Sequence, residues 1–339
     1  MISPRILFVC DAGPGVGGGH VMRCLTLAGA LRAKGVTCAF VRTPEAANIL
    51  ARYAPDMPLV AEGAEADLVV LDSYRMAPAT EAAWRSSAGR LAVIDDLARP
   101  HDCDLVLDPS FGREARDYNA PTVLAGPAYA LVRPAFAAAR TAALARRAEP
   151  ARRCLVSLGL TDVGGITGRV AAALVDRGLA LDVVVGAGAG APSLPALQAL
   201  TAEGRVILHI DTDDMAGLIG QADACVGAGG SSVWERACLG LPTVTLILAD
   251  NQRDMAMKLD AAGATLALDA RWPGLEGRLA DAVDRLVSDD ALRAGLSARS
   301  AEICDGLGAE RVAESLLSLL PREGEGDHAE HGGEGVAGG

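Results

Sequence analysis

The chain has 339 residues, with 31 basic and 43 acidic side chains and a formal net charge of −12. Domains usually span about 100–200 residues, so the length predicts two, and the 50% hydrophobic content supplies two cores and argues against a disordered chain. The acidic balance and the 3% aromatic content argue against a nucleic-acid-binding protein.

Targeting and cysteine patterns are consistent with a cytoplasmic protein. The apolar runs are far shorter than the ~20 residues of a membrane helix, and the N-terminal run stops at Asp11, so we predict no signal peptide and no membrane insertion. The eight cysteines form no Cys-x-x-Cys pair and no Cys/His cluster with zinc spacing. We therefore expect buried, reduced thiols and no structural metal.

Short apolar strands alternate with helical segments along the whole chain. In the first half, a helix is predicted at 21–33 and strands at 5–10, 37–41, 67–71, 90–94, 105–107 and 122–125. After an Ala/Arg-rich linker helix within 135–153, five further strands are predicted at 154–158, 181–185, 206–210, 224–226 and 243–248. This pattern predicts an α/β protein with two doubly wound, Rossmann-like domains, 1–150 and 151–320, facing each other across a cleft. The Gly/Glu/His-rich tail, 321–339, is predicted to be disordered, although His328 and His331 could contact a metal.

The first motif is the loop DAGPGVGGGH at 11–20, between a strand and a helix. Its glycines let the backbone approach a ligand closely, so Asp11, Gly17 and Gly19 are predicted to contact substrate. Residues 13–18 match the spelling of a dinucleotide fingerprint, but the loop is longer than that tight turn. NADP binding stays an alternative because Arg42 follows the second strand.

His20 ends this loop at the start of the predicted helix, where we expect it to be exposed. The helix N-terminus favours a neutral imidazole, which can accept a proton from water. His20 is therefore the predicted catalytic base, and the alternative is a histidine that only hydrogen-bonds the loop.

The second motif is GAGGSSVWE at 227–235, again between a strand and a helix. Glycines and hydroxyls at a helix N-terminus favour anions, so Gly229, Gly230, Ser231 and Ser232 are predicted to bind phosphates. Glu235, one turn into the helix, could accept hydrogen bonds from ribose hydroxyls. The alternative is an N-cap followed by a favourable acidic residue.

A third group of polar residues lies at strand ends. Asn251 and Gln252 follow an apolar strand and could bond the acetamido or hydroxyl groups of a sugar, although they could instead form a turn before a helix at 253–262. The residues predicted to line the first domain's side of the cleft are Asp72, Tyr74, Asp95 and Asp96.

Five segments together resemble a known family: RILFVCDAGPGVGGGHVMRCLTLA, VLDSYRM, AVIDDLARPHDCDLVLD, LAGPAYALVRPAF and GAGGSSVWERACLGLPTVTLILADNQ. They are similar to the UDP-2,4-diacetamido-2,4,6-trideoxy-β-L-altropyranose hydrolases of the pseudaminic acid pathway, from Arg5 to about Leu320. The second half is also similar to the UDP-GlcNAc glycosyltransferase that makes lipid II. Both families have the two-domain GT-B fold, which the resemblance implies for this chain.

The resemblance also implies residue roles. It assigns the catalytic histidine to His20, the substrate-contacting tyrosine to Tyr74, the Asn-Gln pair to Asn251 and Gln252, the phosphate loop to 229–232 and the UDP-binding glutamate to Glu235. One departure is Leu160, which replaces a glycine of the family's Gly-Gly-x-Asp motif.

The implied reaction is metal-independent hydrolysis of a UDP-sugar, without a cofactor, by a bacterial enzyme that acts as a monomer. The free sugar would supply nonulosonic acid synthesis for surface or flagellar glycans. Three alternatives stay open: a GT-B glycosyltransferase using a UDP-amino sugar, a non-catalytic UDP-sugar-binding module and a hydrolysing epimerase.

Overall fold

The first half of the chain forms a seven-stranded parallel sheet. The structure is a computed structural model that describes residues 5–13, 18–75, 78–186 and 191–320. The strand order is β3-β2-β1-β4-β5-β6-β7. The strands are β1 (Ile6–Cys10), β2 (Cys38–Val41), β3 (Leu59–Val60), β4 (Ala66–Asp72), β5 (Ala88–Ile94), β6 (Leu105–Asp108) and β7 (Thr122–Ala125).

The second half forms a six-stranded parallel sheet with the order β10-β9-β8-β11-β12-β13. Its strands are β8 (Arg153–Ser157), β9 (Ala180–Val185), β10 (Ile207–Ile210), β11 (Ala224–Ala228), β12 (Thr243–Ile247) and β13 (Leu266–Asp269). This is the order expected of a doubly wound nucleotide-binding sheet.

Helices connect the strands and cover the sheets. They are α1 (Gly19–Ala33), α2 (Pro44–Tyr53), α3 (Pro78–Ser87), α4 (Pro134–Arg146), α5 (Ile166–Leu174), α6 (Leu194–Ala202), α7 (Met215–Gln221), α8 (Ser232–Cys238), α9 (Asp250–Ala261), α10 (Leu275–Ser288), α11 (Asp290–Ile303) and α12 (Gly308–Leu317). Local signals fix several starts: α2 begins at a proline after Thr43, whose side chain accepts the Ala46 N–H.

The predicted pair of parallel α/β sheets is confirmed. Central strands such as β1 are buried along their whole length, as continuous apolar runs between helices indicate. The prediction missed β3 and β13, which lie at sheet edges. All eight cysteines are free and buried, as predicted. Gly17 and the tail 321–339 lie outside the described residues.

Two helices pack on the sheet that the other half of the chain forms. Helix α12 follows the second sheet in sequence, yet Val312 and Leu316 belong to the core of the first sheet and its helix α1. Helix α4 precedes the second sheet, and its Phe136 packs in that sheet's core. Arg140 also donates to the carbonyl of Ala301, close to the end of α11. The packing of α4 and α12 therefore crosses the predicted limits at residue 150.

Each sheet reverses its strand order at one point, between β1 and β4 and between β8 and β11. Chain connections diverge there, which opens a crevice at the carboxyl ends of the strands. The loop before His20 follows β1, and the loop at 229–231 follows β11. Both glycine-rich motifs therefore lie at the positions where such sheets bind ligands.

Candidate functional site

His20 is the second residue of α1, and its ring is held by Asp72 at the end of β4. Its Nδ1 lies 2.5 Å from Asp72 Oδ1 and 3.2 Å from the Asp72 carbonyl oxygen. The Tyr74 ring meets it edge to face, at 4.6 Å between centroids. The expectation of an exposed histidine is wrong, because these contacts leave His20 only 5% exposed.

Arg23 lies one helical turn after His20 and pairs with the same carboxylate. Its Nε and Nη2 donate to the two oxygens of Asp72, each at 2.6 Å, in a bidentate arrangement. Burial raises the pKa of Asp72, but the charges and hydrogen bonds of Arg23 and His20 outweigh it and hold that pKa well below its ordinary value. Asp72 is therefore a carboxylate at neutral pH, although no part of its side chain is exposed.

This arrangement assigns the tautomer of His20 through its hydrogen bonds. An ionised Asp72 only accepts, so Nδ1 of His20 carries a hydrogen, and in the neutral ring the lone pair is therefore on Nε2. An imidazolium formed by protonation at Nε2 would lie against a negative charge. The pair can therefore take a proton from a hydroxyl or a water molecule in the cleft.

Tyr74 connects the two halves of the site. Its hydroxyl donates to Asp96 Oδ2 at 2.9 Å and accepts a hydrogen bond from Asn251 Nδ2 at 3.0 Å. Arg23 donates to the same Asp96 oxygen at 3.1 Å. The other oxygen, Asp96 Oδ1, is buried and has no hydrogen-bond partner among the described residues. An unbroken set of hydrogen bonds thus runs from Asn251 on α9 to His20 on α1.

Asp11 holds the loop that carries Tyr74. Its carboxylate accepts hydrogen bonds from Ser73 Oγ at 2.7 Å and the Tyr74 N–H at 3.2 Å, and it pairs with Arg75. In the structure, Asp11, a predicted substrate contact, thus hydrogen-bonds the loop that carries Tyr74. Asp95, predicted to line the cleft, is fully buried beneath this loop and bonds Arg99 and Tyr118.

The two glycine-rich motifs meet across the cleft. A Cβ atom added to Gly19 would lie 3.6 Å from Ser231 Oγ, so the starts of α1 and α8 face each other closely. One added to Gly18 would lie 2.7 Å from Leu160 Cδ1. Leu160 therefore packs directly against the loop before His20.

A buried arginine lies behind the second motif, between Gly227 and Ser232. Arg236 is 2% exposed and donates to the Ala228 carbonyl at 2.7 Å and to Ser232 Oγ at 2.9 Å. A Cβ atom on Gly227 would lie 2.5 Å from its guanidinium carbon, so a side chain at that position would displace the guanidinium. Burial lowers the pKa of Arg236 from its ordinary value. The loop therefore combines its backbone N–H groups with a nearby cation, which suits an anion.

Asn251 and Gln252 lie in the first turn of α9, which begins at Asp250 rather than at the predicted 253. Gln252 Oε1 accepts the Leu248 N–H at 3.0 Å, and its side chain packs beside Gly229 and Gly230. Asn251 reaches the opposite domain at Tyr74, whereas Gln252 stays on the second sheet.

Glu235 is paired with Arg133, from the segment that joins the two sheets. Arg133 Nε and Nη2 both donate to Oε1 of Glu235, at 3.1 and 2.9 Å. Both bonds go to the same oxygen, and the Glu235 side chain is 18% exposed. Burial raises the pKa of Glu235, and the charge of Arg133 acts in the opposite direction. Arg133 thus leaves the second carboxylate oxygen, Oε2, for hydroxyl groups.

Arg23, Arg133 and Arg236 were missed at the sequence level. Arg23 could have been found, because residues three apart share a helix face and His20 was already a candidate. Arg133 and Arg236 gave no such signal. The described residues contain no group of three or more His, Cys, Asp or Glu side chains that could hold a metal. Nor does any helix among them have the length and apolar character to cross a membrane.

No family model matches the chain. The spore coat polysaccharide biosynthesis protein SpsG of Bacillus subtilis (strain 168) is 30% identical over 205 residues, covering 58% of this chain and 59% of the relative. The UDP-N-acetylglucosamine–N-acetylmuramyl-(pentapeptide) pyrophosphoryl-undecaprenol N-acetylglucosamine transferase of Sorangium cellulosum (strain So ce56) is 34% identical over 183 residues, covering 50% and 44%. The chain thus matches only about half the length of these relatives.

Solved structures extend the comparison to nearly the whole chain. MurG of Acinetobacter baumannii superposes with a TM-score of 0.63, covering 93% of this chain and 100% of MurG. The fold is GT-B. At 16% identity this likeness shows the fold alone, and it confirms the predicted architecture. The sequence relationship to SpsG and to the transferase covers part of the chain, and the pseudaminic acid assignment goes beyond it.

Proposed function

We propose that this protein binds a UDP-amino sugar between its two sheets and breaks the bond between the sugar's anomeric carbon and UDP. The buried His20–Asp72 pair carries the proposal, because His20 follows Gly19, which lies across the cleft from Ser231 in the loop at 229–232. A base and an anion-binding loop on opposite sides of one crevice suit a substrate with a reactive carbon beside a pyrophosphate.

The proposed reaction is a direct displacement. His20 Nε2 takes a proton from the attacking oxygen, which forms a bond to the anomeric carbon. The bond from that carbon to the phosphate oxygen breaks, and UDP leaves with the electron pair. Asp72 stabilises the imidazolium, and attack opposite the leaving group inverts the anomeric configuration.

The second sheet is the proposed UDP site. The phosphates of UDP would bind the backbone N–H groups at Gly229–Ser232, and the nearby Arg236 would offset the charge of the departing UDP. Glu235 would accept ribose hydroxyls at Oε2. Tyr74, Asn251 and Gln252 would contact the sugar, and the relative from Sorangium cellulosum, a transferase of N-acetylglucosamine from its UDP derivative, supports an amino sugar.

Water is the nucleophile that we propose first. The family resemblance supports hydrolysis of UDP-2,4-diacetamido-2,4,6-trideoxy-β-L-altrose to the free sugar. The burial of His20 also supports it, since water reaches a base that is 5% exposed more easily than a large acceptor does.

Transfer to an acceptor hydroxyl is the second candidate. The names of the matched relatives favour it, since one is a polysaccharide biosynthesis protein and the other a glycosyltransferase. The same base and the same UDP site would serve either nucleophile.

Replacement of His20 tests the base. His20→Asn should lower kcat by about 10²–10⁴-fold while UDP affinity changes little, because the proposed UDP site is on the other sheet. The matched control is His209→Asn, since His209 forms a 2.7 Å pair with the buried Asp182 on the second sheet and should leave kcat unchanged. If His20→Asn keeps more than about a tenth of wild-type turnover, the assignment of the base is wrong.

Product analysis separates the two nucleophiles. NMR of reactions with UDP-2,4-diacetamido-2,4,6-trideoxy-β-L-altrose, with and without candidate acceptors, should show free sugar of inverted configuration in both. Turnover that requires an acceptor and yields only a glycosylated product would establish the transferase instead.

A further inference from the structure

We propose that Arg99 is a positioning residue that holds Tyr74 in place for the sugar; this inference rests on the proposed function, in which Tyr74 contacts the substrate. The Arg99 guanidinium lies behind the Tyr74 loop. Its Nη2 donates to the Ser73 carbonyl at 2.9 Å and its Nη1 to the Tyr74 carbonyl at 3.1 Å. Arginine reaches the two consecutive carbonyls with separate nitrogens while its Nε pairs with Asp95, whereas lysine has a single nitrogen for all three acceptors.

A buried carboxylate fixes Arg99 itself. Asp95 Oδ1 accepts from Arg99 Nε at 2.7 Å, and Oδ2 accepts the Arg99 backbone N–H at 3.0 Å. Asp95 is fully buried and also accepts a hydrogen bond from the Tyr118 hydroxyl at 2.8 Å. The turn between Asp95 and Arg99 places Ala98 at a φ of 55°, a conformation that non-glycine residues seldom adopt. Asp95 therefore holds the Arg99 guanidinium in a fixed position.

Neighbouring carboxylates act on the same tyrosine from different sides. Asp95 acts through Arg99 on the backbone of Tyr74, while Asp96 accepts the Tyr74 hydroxyl at 2.9 Å. On the remaining side, Asp11 accepts the Tyr74 N–H. The N–H, the carbonyl and the hydroxyl of Tyr74 are thus all held, and its ring rests against His20.

Loss of Arg99 removes the donors of two carbonyls and leaves the loop held mainly by Asp11. Tyr74 would then meet the sugar in a wider range of positions, and a displacement of about 1 Å can cost roughly 10²-fold in rate. The effect should fall on the sugar and not on UDP, because the proposed UDP site is on the second sheet.

A double-mutant cycle tests this role. Arg99→Gln and Tyr74→Phe should each lower kcat/KM for UDP-2,4-diacetamido-2,4,6-trideoxy-β-L-altrose by about 10-fold or more. The kcat/KM of the double variant should lie within about threefold of that of the worse single variant, because the effects of residues that act through one group are not additive. Calorimetry with UDP alone should give affinities within about twofold of wild type. The substituted residues lie on different elements from the proposed UDP site, and such separate sites affect each other little. Arg99→Lys should fall between wild type and Arg99→Gln.

Arg90→Gln is the matched control, because Arg90 pairs with the buried Asp104 in the same sheet but lies away from Tyr74. If the two losses multiply to about 100-fold, Arg99 acts independently of Tyr74 and the proposal is wrong. The same holds if Arg99→Gln weakens UDP binding and activity together, as general unfolding would. If Arg99→Gln does not fold, the cycle is made with Arg99→Lys. Unchanged activity in Tyr74→Phe would instead overturn the sugar contact in the proposed function.

Discussion

Replacing Asp72 with asparagine should separate the chemistry of the His20 pair from its contribution to stability. In the native site both oxygens of Asp72 only accept hydrogen bonds, from His20 and from the fork of Arg23. The asparagine amide must turn its NH₂ group toward one of them. If it faces His20, Nδ1 becomes the acceptor and Nε2 carries the hydrogen, so Nε2 can no longer take a proton from the cleft. In either orientation the NH₂ group opposes a donor of Arg23, because Arg23 Nη2 donates to Oδ1, the oxygen that His20 also contacts, and Arg23 Nε donates to Oδ2.

Both orientations have a calculable cost. Breaking a buried ion pair by neutralising one partner typically costs about 3–5 kcal/mol, and Asp72 has no exposed side-chain surface to lessen it. For a domain of this size each kcal/mol lowers Tm by about 2–4 °C, so we expect a fall of roughly 6–20 °C. The wrong tautomer costs about 10⁴-fold in kcat when a carboxylate of this kind is replaced by an amide in a histidine triad.

The assay is steady-state turnover at a temperature where the variant is folded, checked by circular dichroism. The control is Asp104→Asn, because Asp104 is also a buried, arginine-paired aspartate of the first sheet but has no histidine partner. Asp104→Asn should lose stability and keep kcat. A folded Asp72→Asn protein with more than about a tenth of wild-type kcat would refute the reasoning, since a general base is worth at least about 10²-fold.

Three further predictions concern UDP, pH and metals. Glu235→Ala should lower the affinity for UDP, measured by calorimetry, by about 10–100-fold, because a hydrogen bond to a charged group is worth about 1.5–3 kcal/mol. An unchanged affinity would place the nucleotide elsewhere. Burial lowers the pKa of His101, but its close contacts with the charged Asp95 and Glu81, including the hydrogen bond to Glu81, raise it to about 9. Its folded pKa lies above the unfolded value of about 6.5, so its stabilisation is complete below about pH 6.5 and is lost as the pH rises through 9. Urea midpoints should show this fall in the wild type and a flatter profile in His101→Gln, and parallel profiles would contradict it. Turnover in excess EDTA should match that with Mg²⁺ at equal ionic strength, because the loop and Arg236 can offset the pyrophosphate charge; activity restored by one specific metal would overturn this mechanism.

The sheets were predictable because their central strands are buried on both faces and therefore appear as continuous apolar runs. Strand β1 has five buried residues in a row, and β12 has the same pattern. Strand β3, at an edge of the first sheet, has only two residues, both half-buried, and β13, at an edge of the second sheet, is largely half-buried. Neither strand therefore gives a continuous apolar run. The exchange of α4 and α12 between the sheets depends on tertiary packing, which local periodicity does not report.

The site was predictable residue by residue but not as a set of partners. His20 and Asp72 are 52 positions apart, and they meet because β1 pairs with β4 in a register that places Cys10 beside Asp72. Strand order is not visible in one sequence, so Asp72 was one strand-end acid among several. The burial of His20 was missed for the same reason, because its neighbours come from other strands.

The exchange of α4 and α12 has a consequence for dividing the molecule. A fragment that ends at residue 150 would leave the apolar face of α1 uncovered, since Leu316 packs there in the whole chain, and would carry α4 without the sheet that buries Phe136. Soluble halves should instead be assembled from 5–125 joined to 308–320, and from 134–303. The two connecting segments also touch, because a Cβ atom on Gly308 would lie 2.2 Å from the Ala130 carbonyl oxygen. The two crossings of the chain between the halves thus lie side by side.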